Sequence, residues 1–275
     1  MEPGTERVLV GGVLHWGYET HREACLPFYL AHLAAQVVPE GYEICYGFVL
    51  DGAPANAELY ILKALRDRVS YLRTYLWEAQ YMPERRSERG RLDRFDHMAF
   101  VRNLMADLAG AMGAAYLFSV DGDILLHPSS LGVLLGMGRE QAAVLIPNTP
   151  PPDEPWAFNV LDFTVDGTRC THIEPRPQGG LCGVTGAACL YSAELLRHVR
   201  FYPDPQGEDV GFGRAARQWR PGFRAGYVAC GASHLMVPEQ IKPHVDTCPL
   251  CLPLLRTEPS QVIDLAAEKE RRIAP

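Results

Sequence analysis

Apolar runs and helical stripes alternate along the first part of the chain. Residues 8–14, 42–50 and 71–76 form mostly apolar runs with the length and continuity of buried strands. Between them, residues 22–36 and 56–69 place apolar side chains at helical spacing. This alternation predicts an α/β fold with a mostly parallel sheet and crossover helices.

The middle of the chain continues this pattern after a charged interruption. Residues 77–94 carry a dense run of charges, which predicts a solvated loop or a lid. A helical stripe over 95–112 then precedes the apolar run 116–120, which predicts another buried strand. A short helix over 131–138 and a strand over 142–147 are expected to follow.

The organisation changes after the proline-rich stretch 149–155. Residues 158–165 and 169–173 flank an Asp-Gly pair at 166–167, which is a strong hairpin signal. The glycine-rich run 179–192 predicts one further strand. We therefore expect antiparallel strands to be added to the parallel part of the sheet.

The composition is that of an ordinary globular protein, and the chain of 275 residues is long enough for one large α/β domain. A formal net charge of −7 argues against binding to duplex DNA or to an anionic membrane. No run approaches the roughly 20 apolar residues of a membrane span, and the N-terminus lacks a secretory signal. We expect a cytoplasmic protein with no nucleic-acid partner and no integral membrane segment.

The eight cysteines are scattered and most lie in apolar runs, which is typical of reduced core thiols. The exception is the pair Cys248 and Cys251, with His244 four residues before it. These residues allow a structural zinc site whose fourth ligand is Cys230 or another histidine. Without a second matching pair, the motif is a weak signal.

Two acids stand at the carboxyl end of the predicted strand 116–120. Asp121 and Asp123 are separated by Gly122, and open α/β sheets bind ligands at this edge. Paired carboxylates suit a hard divalent cation that also holds phosphate oxygens, and a glycine lets a ligand approach closely. A plain strand-to-turn junction is the simpler interpretation, because Asp and Gly are common turn residues.

Other polar residues near the ends of predicted strands and helices also have both a functional and a purely structural interpretation. Glu208 and Asp209 precede a helical pattern at 214–219, where carboxylates also complement the helix dipole. Asp51 ends the strand 42–50 but begins an Asp-Gly turn. His234 follows a predicted strand, and a lone histidine there is usually structural.

The order of these motifs resembles the GT-A glycosyltransferases, in particular the family 2-like nucleotide-sugar enzymes. The resemblance covers roughly residues 7–236, and its specificity comes from the order and spacing of short motifs. A segment at 95–109, FDHMAFVRNLMADLA, is also loosely similar to the Anp1-type mannosyltransferases. The motifs that carry the resemblance are Arg102-Asn103, YLFSVDGDILLHP at 116–128, GGLCGVTGAACLYS at 179–192, GEDVGFGRAARQWRPGFRAGYV at 207–228 and the following SHLM.

This resemblance implies a GT-A-type, Rossmann-like fold with a smaller mixed or antiparallel acceptor-side part. It places a nucleotide-sugar-binding half at 1–148, an acceptor-side half with the catalytic acids at 149–237 and a C-terminal extension at 238–275, all in one domain. The implied activity is transfer of a hexosyl group from a UDP- or GDP-sugar to a hydroxyl of a glycan, small molecule or protein.

The resemblance also implies a metal site. Asp123 would be the direct ligand of a Mn²⁺ or Mg²⁺ that bridges the donor diphosphate, and Asp121 would contact the metal or the ribose, with Gly122 between the two acids. His234 matches a third metal ligand in some members, and an imidazole would shift the preference toward Mn²⁺.

Further roles follow for the other acids and one arginine. Asp209 matches the general base that deprotonates the acceptor hydroxyl, which would invert the anomeric centre, and Glu208 would orient the acceptor or the donor sugar. Asp51 matches an acid that contacts the nucleoside. Arg102 could pair with phosphate or stabilise the site through a carboxylate.

Three alternatives remain from the residues alone. A haloacid dehalogenase-type phosphatase also has two acids after a buried strand, but usually near the start of its domain and with a later lysine. A nucleotidyltransferase on the same scaffold would use a metal and a nucleotide, although it usually has a glycine-rich, lysine-containing loop after the first strand. A non-catalytic nucleotide-sugar-binding protein would keep the fold without turnover.

Overall fold

The computed structural model describes residues 4–15, 20–53, 57–66, 74–79, 88–147, 158–176, 178–235 and 240–256. The strands are β1 (Glu6–His15), β2 (Tyr42–Asp51), β3 (Thr74–Ala79), β4 (Tyr116–Val120), β5 (Ile124–Leu126), β6 (Gln141–Val144), β7 (Val160–Phe163), β8 (Cys170–His172), β9 (Gly180–Cys182), β10 (Val184–Thr185), β11 (Ala188–Ser192), β12 (Ala225–Val228) and β13 (Ala232–His234). The helices are α1 (Thr20–Ala34), α2 (Ala57–Arg66), α3 (Glu88–Ala111), α4 (Ser130–Gly136), α5 (Ala193–His198), α6 (Glu208–Trp219) and α7 (Ile241–Thr247), and a short 3₁₀ helix spans Leu252–Arg256.

One eight-stranded sheet forms the centre of the molecule, in the order β3-β2-β1-β4-β11-β6-β12-β9. Strands β3, β2, β1 and β4 are parallel neighbours, β11 is antiparallel to both β4 and β6, and β12 is parallel to β6. Two small antiparallel sheets, β10-β7-β8 and β13-β5, are added to it. The predicted α/β class, with a mostly parallel sheet flanked by helices and a smaller antiparallel part, is confirmed.

The side chains of β1 alternate between two hydrophobic cores. Val8 and Val10 pack in the core that contains α1 and α2, whereas Leu9 and Val13 pack in the core that contains α3, α5 and α6. Successive side chains of a strand point to opposite faces of a sheet, so the helices form a layer on each face. None of the helices in the described ranges is both long and apolar enough to cross a membrane.

The sequence predicts one strand over the glycine-rich run 179–192, but the structure has three strands there. Strand β9 pairs with β12 at the edge of the large sheet, and β10 then leaves to pair with β7. The chain returns to the large sheet as β11 after Ala187, whose φ of 67° is in the left-handed region. A continuous apolar pattern cannot reveal a strand that changes partners, so the prediction was wrong here.

The charged segment 77–94 is also not a single loop. Strand β3 extends to Ala79 and α3 already begins at Glu88, while residues 80–87 lie outside the described ranges. Glutamate and arginine favour helices, so a charged run can extend a helix beyond its apolar stripe. In the same way, α6 begins at Glu208, ahead of the helical pattern that the sequence shows at 214–219.

Candidate active site

The carboxyl ends of three parallel strands bring the first group of polar residues to one edge of the sheet. His15 ends β1 directly opposite Asp51, which ends β2. Asp121 follows β4, which is the other neighbour of β1, and its amide donates a 2.7 Å hydrogen bond to the carbonyl of Ala187. These residues therefore lie at the carboxyl ends of the parallel strands, which is where open α/β sheets bind their ligands.

Arg102 of α3 connects the two acidic motifs that the sequence singled out. Its Nε donates a 2.8 Å hydrogen bond to Glu208, and one terminal nitrogen lies 3.3 Å from a carboxylate oxygen of Asp121. The Nε also lies 4.0 Å from Asp209, and the side chain is only 8% exposed. A planar guanidinium has enough donors to hold carboxylates from different elements at once. Arg102 therefore joins residues 19 and 106 positions away in the chain.

Asp209 lies in the first turn of α6, in a confined position. Burial raises its pKa to about 7, with Arg102 opposing this shift and Glu208 and Asp121 adding to it. One carboxylate oxygen, Oδ1, is buried and has no hydrogen-bond partner among the described residues. The other carboxylate oxygen, Oδ2, lies so close to Gly186 that a Cβ on residue 186 would overlap this oxygen. Asp209 thus combines a pKa near neutrality with a carboxylate oxygen, Oδ1, that can still accept a hydrogen bond.

Asp123 and His234 are brought together by the small antiparallel sheet. Strand β5 begins directly after Asp123 and pairs with β13, so that Ile124 stands opposite His234. The amide of Leu235 donates a 2.9 Å hydrogen bond to the carbonyl of Asp123. In this register, His234 Nε2 lies 3.7 Å from Asp123 Oδ2. Neither β5 nor β13 is evident from the apolar pattern, because each has only three residues.

Asp51 is enclosed by two histidines that no motif in the sequence marks as functional. His15 Nδ1 and His97 Nε2 lie 2.6 and 2.8 Å from the same oxygen, Asp51 Oδ2. Burial acts to raise the pKa of Asp51, but the hydrogen bonds from both histidines outweigh it and the pKa is lowered. The other oxygen, Oδ1, is buried without a hydrogen-bond partner among the described residues. His15 directly follows the predicted strand 8–14, but no spacing in the sequence connects it with His97 of α3.

Two further predicted residues support the site in different ways. Gly122 leaves open space, because a Cβ there would meet only Leu14, at 3.6 Å. Asn103 forms hydrogen bonds of 2.8 and 3.0 Å with the backbone of Phe201, on the chain that leads to α6. The Phe201 ring in turn lies 5.9 Å below the Arg102 guanidinium. Helix α3 therefore positions both its own arginine and the segment before the second acidic motif.

The predicted zinc residues lie elsewhere in the fold. Cys248 and Cys251 lie against His32 of α1. Cys230 is not in that group and contacts Ser130 Oγ at 3.4 Å instead.

Asp123 and His234 lie close enough to share a divalent cation, but the ligand atoms of Asp121, Asp123 and His234 do not all lie within 4.8 Å of one another. Two ligand atoms that each lie about 2.1 Å from one Mg²⁺ are roughly 3.0 to 4.2 Å apart, and the 3.7 Å between Asp123 Oδ2 and His234 Nε2 falls in this range. The carboxylates of Asp121, Glu208 and Asp209 lie around the one buried guanidinium of Arg102, so a cation would offset an excess of negative charge. Within the described part of the chain, His234 Nδ1 is buried without a hydrogen-bond partner.

No protein-family model matches the chain, and no curated protein is significantly similar to it in sequence. Among solved structures, the chain is similar to glucosyl-3-phosphoglycerate synthase from Mycobacterium tuberculosis in complex with Mg²⁺ and UDP, with a TM-score of 0.49 and 13% identity over 87% of this chain and 74% of that chain. A second structure of that enzyme, with Mn²⁺, UDP and phosphoglyceric acid, gives a TM-score of 0.47 and 12% identity over the same shares. These values are too low to decide the family or the activity of this chain.

Proposed function

We propose that the protein is a metal-dependent glycosyltransferase of the GT-A type, which moves a sugar from a nucleoside diphosphate sugar to a hydroxyl acceptor. The observation that carries this proposal is the ion-pair network of Arg102. It joins Asp121, at the end of a parallel strand, to Glu208 and Asp209, at the start of a helix that follows much later in the chain. A donor-binding acid and an acceptor-activating acid must be adjacent in this way for direct transfer.

The nucleoside half of the donor would bind at Asp51. Its Oδ2 is already occupied by His15 and His97, which fixes the orientation of the carboxylate. The buried Oδ1 remains as an acceptor for an N–H of the base or a hydroxyl of the ribose. A buried acceptor without a partner is costly, and a ligand donor would satisfy it.

The diphosphate would bind beside Asp121 and Asp123. A divalent cation held by Asp123 and His234, with Asp121 contacting the metal or the ribose, would neutralise the negative charge on the departing nucleoside diphosphate. Gly122 leaves room for the phosphate oxygens, since its own surroundings would tolerate a Cβ. This assignment is the reason for expecting metal dependence.

Asp209 would act as the general base. Its pKa of about 7 matches the ideal for a group that must be ionised and still accept a proton near neutral pH. Arg102 holds Glu208 through a charge-assisted hydrogen bond, and Glu208 would orient the acceptor or the donor sugar. A base that activates the attacking hydroxyl on the face opposite the leaving group produces inversion at the anomeric carbon.

A donor screen tests this proposal directly. The protein is incubated with UDP- and GDP-sugars and Mn²⁺ or Mg²⁺, and both thermal stabilisation and release of the nucleoside diphosphate are measured. We expect stabilisation with one donor class, and its loss in Asp123→Ala. The control is Asp166→Asn, since Asp166 lies in an exposed hairpin turn with its own hydroxyl partners.

The alternatives give other products in the same assay. Pyrophosphate release with a nucleoside triphosphate would indicate a nucleotidyltransferase. Metal-dependent donor binding without any release, across a broad set of acceptors, would indicate a binding protein. Absence of stabilisation by every donor with both metals would contradict the proposal.

A further inference from the structure

Two histidines and two cysteines converge in the core on the α1 side of the sheet. One ligand atom from each of these residues lies within 4.8 Å of the other three. The Nε2 atom of His32 is 3.3 Å from Cys251 Sγ and 3.4 Å from Cys248 Sγ. His32 is 5% exposed and Cys251 is fully buried. The fourth member is His244, whose ring centre lies 5.8 Å from that of His32.

The distances match a tetrahedral metal site. With bonds of about 2.3 Å to sulfur and about 2.0 Å to nitrogen, neighbouring S and N ligands of Zn²⁺ are roughly 3.5 Å apart. Hydrogen bonds alone explain the arrangement less well. His32 Nδ1 lies 2.7 Å from the carbonyl of Leu126 and must carry a proton to donate to it, so Nε2 has a single lone pair facing two thiols.

The contact with Leu126 is also the one that a zinc-binding histidine requires. A ligating imidazole usually donates its other N–H to a carbonyl or carboxylate, which fixes the tautomer and the ring orientation. Here the protein supplies this partner from β5. The lone pair of Nε2 is thereby directed at the two sulfur atoms.

The other three ligands come from one short segment at the end of α7. The amide of Cys248 donates a 2.9 Å hydrogen bond to the backbone carbonyl of His244, and the amide of Cys251 donates a 3.1 Å hydrogen bond to the backbone carbonyl of Cys248. These turns place all three side chains on the surface that faces α1. His244 Nε2 is buried and, within the described ranges, has no hydrogen-bond partner.

We infer that His32, His244, Cys248 and Cys251 bind one structural zinc ion. Four protein ligands close the coordination sphere, and a mixed nitrogen and thiolate set in tetrahedral arrangement selects Zn²⁺ over the harder cations. The ion attaches the segment of α7 and the 3₁₀ helix to α1. Through Leu126 it also supports β5, the strand that begins after Asp123. This inference does not depend on the proposed transferase activity.

Metal analysis of the purified full-length chain tests the site. We expect about one zinc per chain after expression with zinc, and a thiolate-to-cobalt charge-transfer band when Co²⁺ replaces it. Cys248→Ser is expected to lose most of the zinc and the band, while Cys230→Ser retains both. Should Cys248→Ser fold poorly, the cobalt spectrum of the unchanged chain still reports whether thiolates bind the metal.

Several results would overturn the inference. These are a wild-type chain without zinc or a cobalt band, a Cys248–Cys251 disulfide detected by mass after purification under reducing conditions, or full zinc content in the double variant Cys248→Ser and Cys251→Ser. Asp123→Ala separates the two metal sites, because it is expected to lose donor stabilisation and keep its zinc.

Discussion

At the residue scale, the raised pKa of Asp209 affects both the proposed proton transfer and the stability of the fold. Its carboxylate lies near Arg102, yet burial raises its pKa to about 7. An acid with a raised pKa holds its proton more tightly in the folded than in the unfolded state. The same residue is therefore suited to proton transfer and unfavourable for stability when ionised.

The first prediction concerns the pH dependence of transfer. Because the base must be ionised, kcat/KM is expected to fall about tenfold per pH unit below an inflection at about 7 or lower. A divalent cation beside Asp121 would shift this inflection downward, since it opposes the effect of that carboxylate. In Asp209→Asn, transfer is expected to fall about 10²- to 10⁴-fold and to lose this pH dependence. Full activity of the variant would remove Asp209 from the role of base.

The second prediction concerns stability, measured by thermal unfolding of the metal-free protein. The raised pKa contributes stability below the unfolded-state pKa of Asp209, and this contribution is lost as the pH rises through about 7. Asp209→Asn is always neutral, so its Tm relative to wild type should increase between about pH 5 and about pH 8. Each kcal/mol corresponds to roughly 2–4 °C in a protein of this size. A constant difference across this range would contradict the raised pKa.

At the element scale, close packing of β1 against β4 controls where Asp121 and Asp123 emerge. A Cβ at Gly12 would overlap the carbonyl oxygen of Val120, the last residue of β4. That carbonyl already accepts a 2.9 Å hydrogen bond from Tyr29 of α1. A glycine in β1 thus allows the strand, the helix and the start of the Asp121 turn to meet.

The third prediction follows from this contact. Gly12→Ala is expected to destabilise the protein by about 1–3 kcal/mol or more, because overpacking forces the backbone of two strands apart. The matched control is Gly110→Ala in α3, where a Cβ meets nothing within 4 Å. That variant should be neutral or more stable by about 0.5–1 kcal/mol. Chemical unfolding measures both, and equal stability of Gly12→Ala and wild type would contradict the proposed contact.

At the scale of the whole molecule, the large sheet is shared by the two halves of the chain. Strand β11, from the second half, is hydrogen-bonded to β4 on one side and β6 on the other. Strand β6, from the first half, lies between β11 and β12. Neither half has a complete sheet without the other.

The fourth prediction is that the halves do not fold separately. A fragment ending at residue 148 would leave β4 and β6 with exposed edges, and such edges promote aggregation. We expect the fragment to lack a cooperative thermal transition, and the full chain to show a single one by calorimetry. A soluble, cooperatively folding fragment 1–148 would show that the halves are independent.

Much of this architecture could be predicted from the sequence because it is local. Continuous apolar runs predicted the parallel strands, and the Asp-Gly pair predicted the hairpin of β7 and β8. The strands β5 and β13 are too short for a periodic signal, and the run 179–192 does not show its change of partners. Long-range pairing, and not local preference, decides these elements.

The sequence by itself determined which chemical groups are present and at which strand and helix ends they occur. Asp121, Asp123, Glu208, Asp209 and the Cys248-Cys251 pair are all evident from it. Only the tertiary structure decided which residues meet. It places Arg102 between the two acidic motifs, two histidines around Asp51, and His32 beside the cysteine pair. The physical reason is that these contacts span tens to hundreds of residues, so they exist only after the sheet and its helices have packed.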